Sequence, residues 1–256
     1  MRHSRLTTLA APILLGSCLL GSEPSDIPDA DLRMLFIGNS LTYTNDMPRM
    51  VQHLANAAAR SFAYGVAAAP NYSLEDHWAD GITSTIAAQR ADIVVMQQGP
   101  SSVPANQQHL AFWAGQLEPS IRAAGGIPAL YMVWPEVSRL SAFDAVRDAY
   151  FYAAEAVEGL FLPAGEAWRA AWARDPGLTT YNPDGFHPSV IGSMAAALTI
   201  FTVAFEAEDL LASCPFPEYP GVSTVVMQLL CVSVLDALNA PHPGDGKPRT
   251  APTPRR

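Results

Sequence analysis

From Leu32 onward, short apolar runs alternate along the chain with longer stretches of helical periodicity. Parallel strands need crossovers of helical length between them, so this alternation predicts a parallel sheet with helices on its faces. The fold class is therefore α/β: a three-layer α/β/α sandwich with a parallel sheet of about five strands. The predicted strands are Leu32–Ile37, Phe62–Ala67, Ile93–Met96, Ile127–Trp134 and Leu160–Leu162, and the predicted helices are Met50–Arg60, Gln107–Ala124, Ala142–Glu158, Ala164–Arg174, Pro188–Glu206 and Val222–Leu238.

Polar side chains follow the first three predicted strands. Ser40 follows the first strand, Asn71 the second, and Gln97 and Gln98 the third. In parallel α/β sheets the functional loops lie beyond the carboxyl ends of the strands. These residues are therefore expected on one rim of the sheet.

The chain of 256 residues is 49% hydrophobic, which suits one domain with a full core. Outside that domain the composition changes. An apolar run after two arginines predicts an export signal, a polar acidic segment predicts a linker, and a proline-rich end without periodicity predicts disorder. The predicted parts are the export signal at residues 1–20, the linker at 21–31, the domain at 32–240 and the tail at 241–256.

The export signal has two interpretations. Its apolar run contains Leu15-Gly16-Ser17-Cys18, which is similar to a bacterial lipoprotein signal. In that case Cys18 carries the lipid and can anchor the protein to a membrane. In the other case the signal is cleaved near Gly21 or Ser22 and Cys18 is incidental. Both interpretations predict an exported protein: a periplasmic or cell-envelope lipoprotein, or a secreted one.

The remaining cysteines and the charge bound the chemistry further. Cys214 and Cys231 could form a disulfide in an exported chain, and two buried free thiols are the alternative. The sequence has no CxxC, Cys/His ligand spacing, HExxH or phosphate-binding loop, so no metal and no cofactor are predicted. The formal net charge of −9 disfavours nucleic acid as a partner, because a phosphate backbone would be repelled.

Two short segments carry the residue types of a nucleophilic hydrolase. Gly38-Asn39-Ser40-Leu41 follows the first strand, where a glycine permits a tight turn that exposes the Ser40 hydroxyl. Asp184 lies three residues before His187, close enough for its carboxylate to hold one imidazole nitrogen. Pro188 suits the first turn of a helix, which places His187 at the helix entrance. Serine, histidine and aspartate together make a hydroxyl reactive at neutral pH.

The blocks GNSLTYTNDMP and DGFHPS resemble those of the SGNH hydrolase superfamily, also called GDSL-type esterases and lipases, in a branch with carbohydrate-esterase-like members. The resemblance implies a flavodoxin-like fold. It also implies Ser40 as nucleophile, His187 as general base and then acid, and Asp184 as the residue that orients His187. The implied oxyanion hole combines the Ser40 backbone N–H, a glycine N–H after the second strand and an asparagine side chain after the third.

Two oxyanion positions depart from the superfamily pattern. Asn71 stands where glycine is usual, but asparagine tolerates left-handed backbone geometry, so its N–H could still point inward. No asparagine directly follows the third strand. Gln97 or Gln98 offers the same amide on a longer side chain, and Ser101 is a third candidate. The alternative is that the glutamines only cap the strand.

His77 and Trp134 are candidate substrate-binding residues near the same rim. His77 lies at the start of a predicted helix, where a structural hydrogen bond is the alternative role. Trp134 ends the fourth predicted strand and could stack against a sugar, with core packing as the alternative.

The expected function is an exported serine esterase (a carboxylic ester hydrolase) that forms an acyl-serine and removes acetyl or similar small acyl groups from carbohydrate. Its partner is then a small-molecule or glycan ester. A lipase or thioesterase of the same superfamily is the alternative among enzymes, because sequence does not report pocket size. A surface glycan-binding protein without the chemistry is the alternative outside enzymes, motivated by the altered oxyanion positions. The sequence has no G-x-S-x-G elbow, which disfavours an α/β-hydrolase.

Overall fold

The computed structural model describes residues 26–241. Its strands are β1 (Leu32–Gly38), β2 (Phe62–Ala68), β3 (Ile93–Met96), β4 (Ile127–Tyr131) and β5 (Leu160–Leu162). They form one parallel sheet of five strands in the order β2-β1-β3-β4-β5, so the predicted sheet is confirmed. Strand β4 ends at Tyr131, before the predicted Trp134, although the Met132 N–H still donates to the carbonyl of Leu162 in β5 at 3.0 Å.

Helices connect the strands and cover both faces of the sheet. They are α1 (Ser40–Tyr43), α2 (Met47–Ala57), α3 (Leu74–Ala79), α4 (Ile82–Gln89), α5 (Pro104–Ala123), α6 (Phe143–Ala156), α7 (Ala164–Arg174), α8 (Val190–Phe205), α9 (Glu208–Ser213) and α10 (Thr224–Asn239), with 3-10 segments at Thr44–Asp46 and Val137–Ala142. Helices α2, α7, α8 and α10 pack together, and α3, α4, α5 and α6 form a second group. The predicted three-layer α/β/α sandwich is therefore confirmed.

The strand order changes direction at β1. The chain passes from β1 to β2 on one side and then to β3 on the other. Loops that leave the carboxyl ends of β1 and β3 therefore diverge and leave a crevice, which is where proteins of this architecture bind ligands. Ser40 follows β1, and Gln97 and Gln98 follow β3, so the predicted rim residues meet there.

Two buried elements, β1 and α8, hold the segments that carry Ser40 and His187. Strand β1 is buried from Met34 to Gly38, as expected of a parallel strand covered on both faces. Helix α8 is buried continuously from Gly192 to Val203. Ser40 lies two residues after the strand, and His187 lies three residues before the helix. Burial of these two elements therefore also sets the distance between the two side chains.

Helix α8 begins at Val190, later than the predicted Pro188. Its N-cap is Ser189, whose Oγ accepts a hydrogen bond from the N–H of Gly192 at 3.2 Å. The N-cap residue takes extended backbone geometry, so the helix begins only after it. The predicted start at Pro188 is therefore two residues too early. His187 lies in the loop before the helix and not at the predicted helix entrance.

Cys214 and Cys231 form a disulfide between the end of α9 and helix α10. Of the two alternatives that the sequence allows, the structure contains the cross-link. Within residues 26–241, no helix has both the length and the apolar character needed to cross a bilayer.

The predicted linker overlaps the described residues at their start. Ile27 was expected in that linker, but its side chain is buried in the core and its N–H donates to Gln89 Oε1 at 2.9 Å. The linker prediction is wrong at this position, because the apolar side chain of Ile27 packs beside Gly65 of β2. The export signal at residues 1–20 with Cys18, and the tail residues 242–256, lie outside the described residues.

Candidate active site

The turn after β1 presents Ser40 at the start of helix α1. Asn39 caps this helix, and its Oδ1 accepts a hydrogen bond from the N–H of Leu41 at 3.0 Å. Glycine is required at position 38, because a Cβ there would lie 2.6 Å from Gln97 Oε1 and closer still to Thr42 Oγ1. The turn therefore depends on close contact between Gly38 and the side chains beneath it.

Gln97 supports this turn from the interior. Its Oε1 accepts hydrogen bonds from the Asn39 N–H at 3.0 Å and from Thr42 Oγ1 at 2.8 Å. Its Nε2 donates to Asn39 Oδ1 at 3.1 Å and to the carbonyl of Gln98. Gln97 is fully buried, and both protons of its amide are used. The prediction that Gln97 donates to an oxyanion is therefore wrong, and its role is to hold the serine turn.

Ser40, His187 and Asp184 form one hydrogen-bonded line. His187 Nε2 lies 2.9 Å from Ser40 Oγ, and His187 Nδ1 lies 2.6 Å from Asp184 Oδ2. With the Nδ1 proton donated to the carboxylate, Nε2 is free to accept the proton of the serine hydroxyl. The structure thus brings together three residues that lie up to 147 positions apart in the chain.

Asp184 is held as a carboxylate by its own loop. Its Oδ1 accepts hydrogen bonds from the N–H groups of Phe186 at 2.9 Å and His187 at 3.0 Å. The bond from Phe186, followed by the bond from the His187 side chain, keeps the pKa of Asp184 below its usual range. Gly185 has φ 69°, a left-handed geometry that lets the chain turn back between Asp184 and Phe186. The carboxylate is therefore charged and aimed before any substrate binds.

Trp134 holds the same loop from beneath. Its ring is fully buried and stacks on Trp168 with ring centroids 3.5 Å apart. Its Nε1–H donates to the carbonyl of Phe186 at 3.0 Å. The prediction that Trp134 forms a sugar-stacking wall is wrong, because no face of its ring reaches the surface.

His77 is also a structural residue. It is only 5% exposed, and its Nε2 lies 2.8 Å from the carbonyl oxygen of Gly38, to which it donates. Burial lowers the pKa of His77, and the bond to Gly38 opposes this effect in part. The predicted contact with substrate is wrong, whereas the alternative of a structural hydrogen bond agrees with the structure.

Asn45 connects the two halves of the site, and sequence reasoning missed it. Its Nδ2 donates to the carbonyl of Pro188 and to Ser193 Oγ, both at 2.9 Å. Pro188 directly follows His187, so this amide ties the Ser40 segment to the His187 loop. Asn45 has φ 58° and Asp46 has φ 53°, two consecutive left-handed residues. The Asn-Asp pair after the serine turn was the available signal, since these residue types favour that geometry.

A cavity of about 380 Å³ opens beside Ser40. Asn71 and Gln98 are part of its wall, and Asn71 has the expected left-handed backbone with φ 63°. Gln98 Nε2 donates to Ser101 Oγ at 2.9 Å, which uses one of its two amide protons. Gln98 therefore keeps one donor for a ligand, unlike Gln97.

Tyr150 of helix α6 fixes the loop that carries Gln98. Its hydroxyl donates to the Gln98 carbonyl at 2.6 Å and accepts from the Gln98 N–H at 3.1 Å. Complete burial raises the pKa of Tyr150, which keeps the hydroxyl protonated as a donor. Nothing in the sequence distinguished this tyrosine from a core residue.

Among residues 26–241, no cluster of His, Cys, Asp and Glu could hold a metal ion.

Several solved structures share this fold. A protein from Slackia heliotrinireducens, described as a candidate SGNH hydrolase, is 27% identical over 68% of this chain and 98% of its own, with a TM-score of 0.57. A DUF4886 family protein from Bacteroides uniformis is 19% identical over 80% of this chain and 94% of its own, with a TM-score of 0.68. A catalytic mutant of the acetylxylan esterase Axe2 from Geobacillus stearothermophilus is 15% identical over 68% of this chain and 94% of its own, with a TM-score of 0.53.

These similarities differ in what they show. The proteins from Bacteroides and Geobacillus share the fold, whereas the protein from Slackia also shares more than a quarter of the aligned residues. No protein-family model matches the sequence, and neither does any curated protein.

Proposed function

Because this chain is related to the SGNH/GDSL superfamily of hydrolases, whose fold it shares, we propose that it is a serine esterase with Ser40 as its nucleophile. One observation carries the proposal: the line from Ser40 Oγ through the His187 imidazole to the Asp184 carboxylate, with contacts of 2.9 Å and 2.6 Å. Loss of function during evolution leaves no pressure to keep such a line. Its geometry therefore favours an esterase over a glycan-binding protein without chemistry.

The proposed reaction has two halves. In the first, Ser40 Oγ attacks the ester carbonyl carbon while His187 Nε2 takes the hydroxyl proton. The tetrahedral intermediate then breaks its bond to the alcohol oxygen, which leaves with that proton, and an acyl-serine remains. In the second, water attacks the acyl carbon, His187 takes the water proton, and the bond to Ser40 Oγ breaks as the serine regains a proton.

The proposed oxyanion hole uses three donors at the cavity. They are the backbone N–H groups of Ser40 and Asn71 and the remaining amide proton of Gln98. Ser101 is the partner of Gln98 and thereby sets the orientation of the amide. Donors fixed by the fold stabilise developing negative charge without having to reorganise during the reaction.

The proposed substrate is an acetyl or similar small acyl ester of a carbohydrate. Asparagine, serine and glutamine side chains predominate in the cavity wall, as suits a ligand with many hydroxyl groups. The acetylxylan esterase among the structural neighbours supports the same class. A lipase of the superfamily is the second candidate, since Val137 and Leu140 are 49% and 43% exposed in the segment that carries the cavity residue Arg139. A series of 4-nitrophenyl esters separates the two: a clear optimum at long chains would favour the lipase.

Export is proposed on two grounds. The disulfide between Cys214 and Cys231 supports an oxidising compartment, where such cross-links persist. The predicted signal supports export, and Cys18 within it supports a lipid anchor. Metabolic labelling with a palmitate analogue tests the anchor. Absence of label on the wild-type protein would contradict the proposal that Cys18 carries a lipid.

Hydrolysis of 4-nitrophenyl acetate tests the esterase proposal. Ser40→Ala should lower kcat by about three orders of magnitude or more, because no other group replaces the nucleophile. Ser84→Ala is the matched control, since Ser84 is an exposed serine of helix α4, outside both the cavity and the Ser40–His187–Asp184 line. Undiminished activity in a folded Ser40→Ala protein would refute the assignment.

A further inference from the structure

The wall of the cavity differs in charge from the rest of the chain. The whole chain carries a formal net charge of −9. Among the described residues that line the cavity, however, Arg139 and His109 are basic and none is Asp or Glu. A ligand in this cavity therefore meets positive charge on a protein that is otherwise acidic.

Arg139 is the basic group without a compensating carboxylate. Its Nη2 donates to Ser102 Oγ at 3.0 Å, which holds the guanidinium beside the cavity. Among residues 26–241, Arg139 forms no ion pair, whereas Arg147 and Arg169 share Asp144. A guanidinium has five N–H donors, so most of those on Arg139 remain for a ligand.

His109 has a different environment. Its Nε2 lies 2.9 Å from Glu75 Oε2, so its charge, when present, is balanced within the protein. The unbalanced positive charge of the cavity is therefore concentrated on Arg139. An arginine fork matches the geometry of a carboxylate and binds it through two parallel hydrogen bonds.

We infer that Arg139 is a specificity-determining residue and that the preferred ester substrates carry a carboxylate group bound by Arg139. This inference rests on the proposed esterase function of Ser40. The carboxylate can belong to the alcohol, as in an acylated uronic acid, or to the acyl group, as in a hemisuccinate. A single carboxylate is compatible with an acidic protein, unlike a polyphosphate chain, because only one charge is brought to the one basic site.

Three esters of one sugar framework test the inference. They are the acetyl ester of methyl glucoside, which is neutral, the acetyl ester of methyl glucuronoside, and the succinyl half-ester of methyl glucoside. We expect kcat/KM for one of the acidic esters to exceed that of the neutral ester by about tenfold or more, mainly through a lower KM. Which acidic ester is preferred identifies the side of the ester that carries the carboxylate.

Substitution of Arg139 assigns the preference to this residue. Arg139→Gln should abolish the ratio between acidic and neutral esters, and Arg139→Lys should keep part of it. Arg60→Gln is the matched control, because Arg60 is an exposed arginine outside the cavity and its loss changes the net charge equally. Equal rates on all three esters in the wild type, or an unchanged ratio in Arg139→Gln, would overturn the inference.

Binding separates this inference from the esterase proposal. Calorimetry should show that the Ser40→Ala protein binds methyl glucuronoside or methyl hemisuccinate more tightly than it binds methyl glucoside. Adding Arg139→Gln to this protein should remove the difference in affinity. Hydrolysis without acidic preference would leave the esterase proposal standing and overturn the role of Arg139. Arg139-dependent acid binding without hydrolysis would do the reverse, and absence of both would overturn both.

Discussion

The contact between Ser40 and His187 depends on side chains outside the cavity. Gln97 holds the serine turn through its amide, and Trp134 holds the carbonyl of Phe186 next to His187. Asn45 is the direct link between the two segments. None of these three side chains lines the cavity, so we expect their loss to change the geometry of the reaction more than substrate affinity.

Asn45→Ala should lower kcat by about tenfold to a hundredfold with little change in KM, because misplacement of a catalytic base by about 1 Å is costly. Steady-state kinetics with 4-nitrophenyl acetate measures the split. Asn45→Gly is the informative companion, since glycine accepts φ 58° without strain but lacks the amide. Full activity in Asn45→Gly would show that the hydrogen bond to Pro188 is not needed.

His77 should make stability depend on pH. Burial lowers its pKa below the ordinary value of 6.5, so the unfolded chain binds a proton more tightly than the folded protein does. The free energy of unfolding should therefore be highest above about pH 6.5 and fall as the pH decreases, by at most about 1.4 kcal/mol per pH unit for one proton. Urea unfolding between pH 7.5 and 5 measures this free energy at each pH. Its decrease with falling pH should be less steep in His77→Gln than in the wild type. Identical slopes would contradict this role.

The residues that the sequence placed wrongly depend on two features that short motifs do not report: the register at a strand end and the packing of distant elements. Successive residues at the end of a strand point to opposite sides, so Gln97 enters the interior while Gln98 reaches the cavity. A sequence cannot decide which of two adjacent glutamines does which without the register of the strand. Burial of His77 and Trp134 likewise depends on helices that pack from distant parts of the chain.

At the scale of elements, prediction was most accurate where the sequence pattern has clear ends. Strand β3 and helix α7 have their predicted bounds, because both are flanked by clear breaks in pattern. Helix α2 starts at Met47 and not at the predicted Met50, since Pro48 can occupy the first turn of a helix. Local chemistry at helix ends therefore shifted boundaries without changing the sheet.

The disulfide should stabilise the C-terminal elements. It closes a loop between residues 17 positions apart, for which chain entropy gives roughly 3 kcal/mol. The double variant Cys214→Ala with Cys231→Ala should therefore lower the melting temperature by about 10 °C. Dithiothreitol should lower the melting temperature of the wild type and leave that of the double variant unchanged. A wild-type protein insensitive to reduction would contradict this contribution.

At the scale of the whole molecule, the site exists only when the two ends of the domain have met. Ser40 and His187 are separated by 147 positions in the chain. Ser40 follows β1, near the start of the domain, and His187 lies in the loop before α8, near its end. The sheet order supplies the crevice between β1 and β3, and the helices that pack on the sheet bring His187 to it. Sequence reasoning placed Ser40, Asn71 and the two glutamines on one rim of the sheet, whereas the strand order that forms the crevice and the supporting contacts of Asn45 and Tyr150 needed coordinates.

Covalent labelling with a fluorophosphonate tests the central claim most directly, because the probe reacts much faster with an activated serine hydroxyl than with other side chains. Digestion and mass spectrometry of the full chain should place a single adduct on Ser40. Labelling should be abolished in Ser40→Ala and slowed by at least about a hundredfold in His187→Ala, where the base is missing. An adduct on another serine, or labelling of Ser40 at an unchanged rate without His187, would contradict the account.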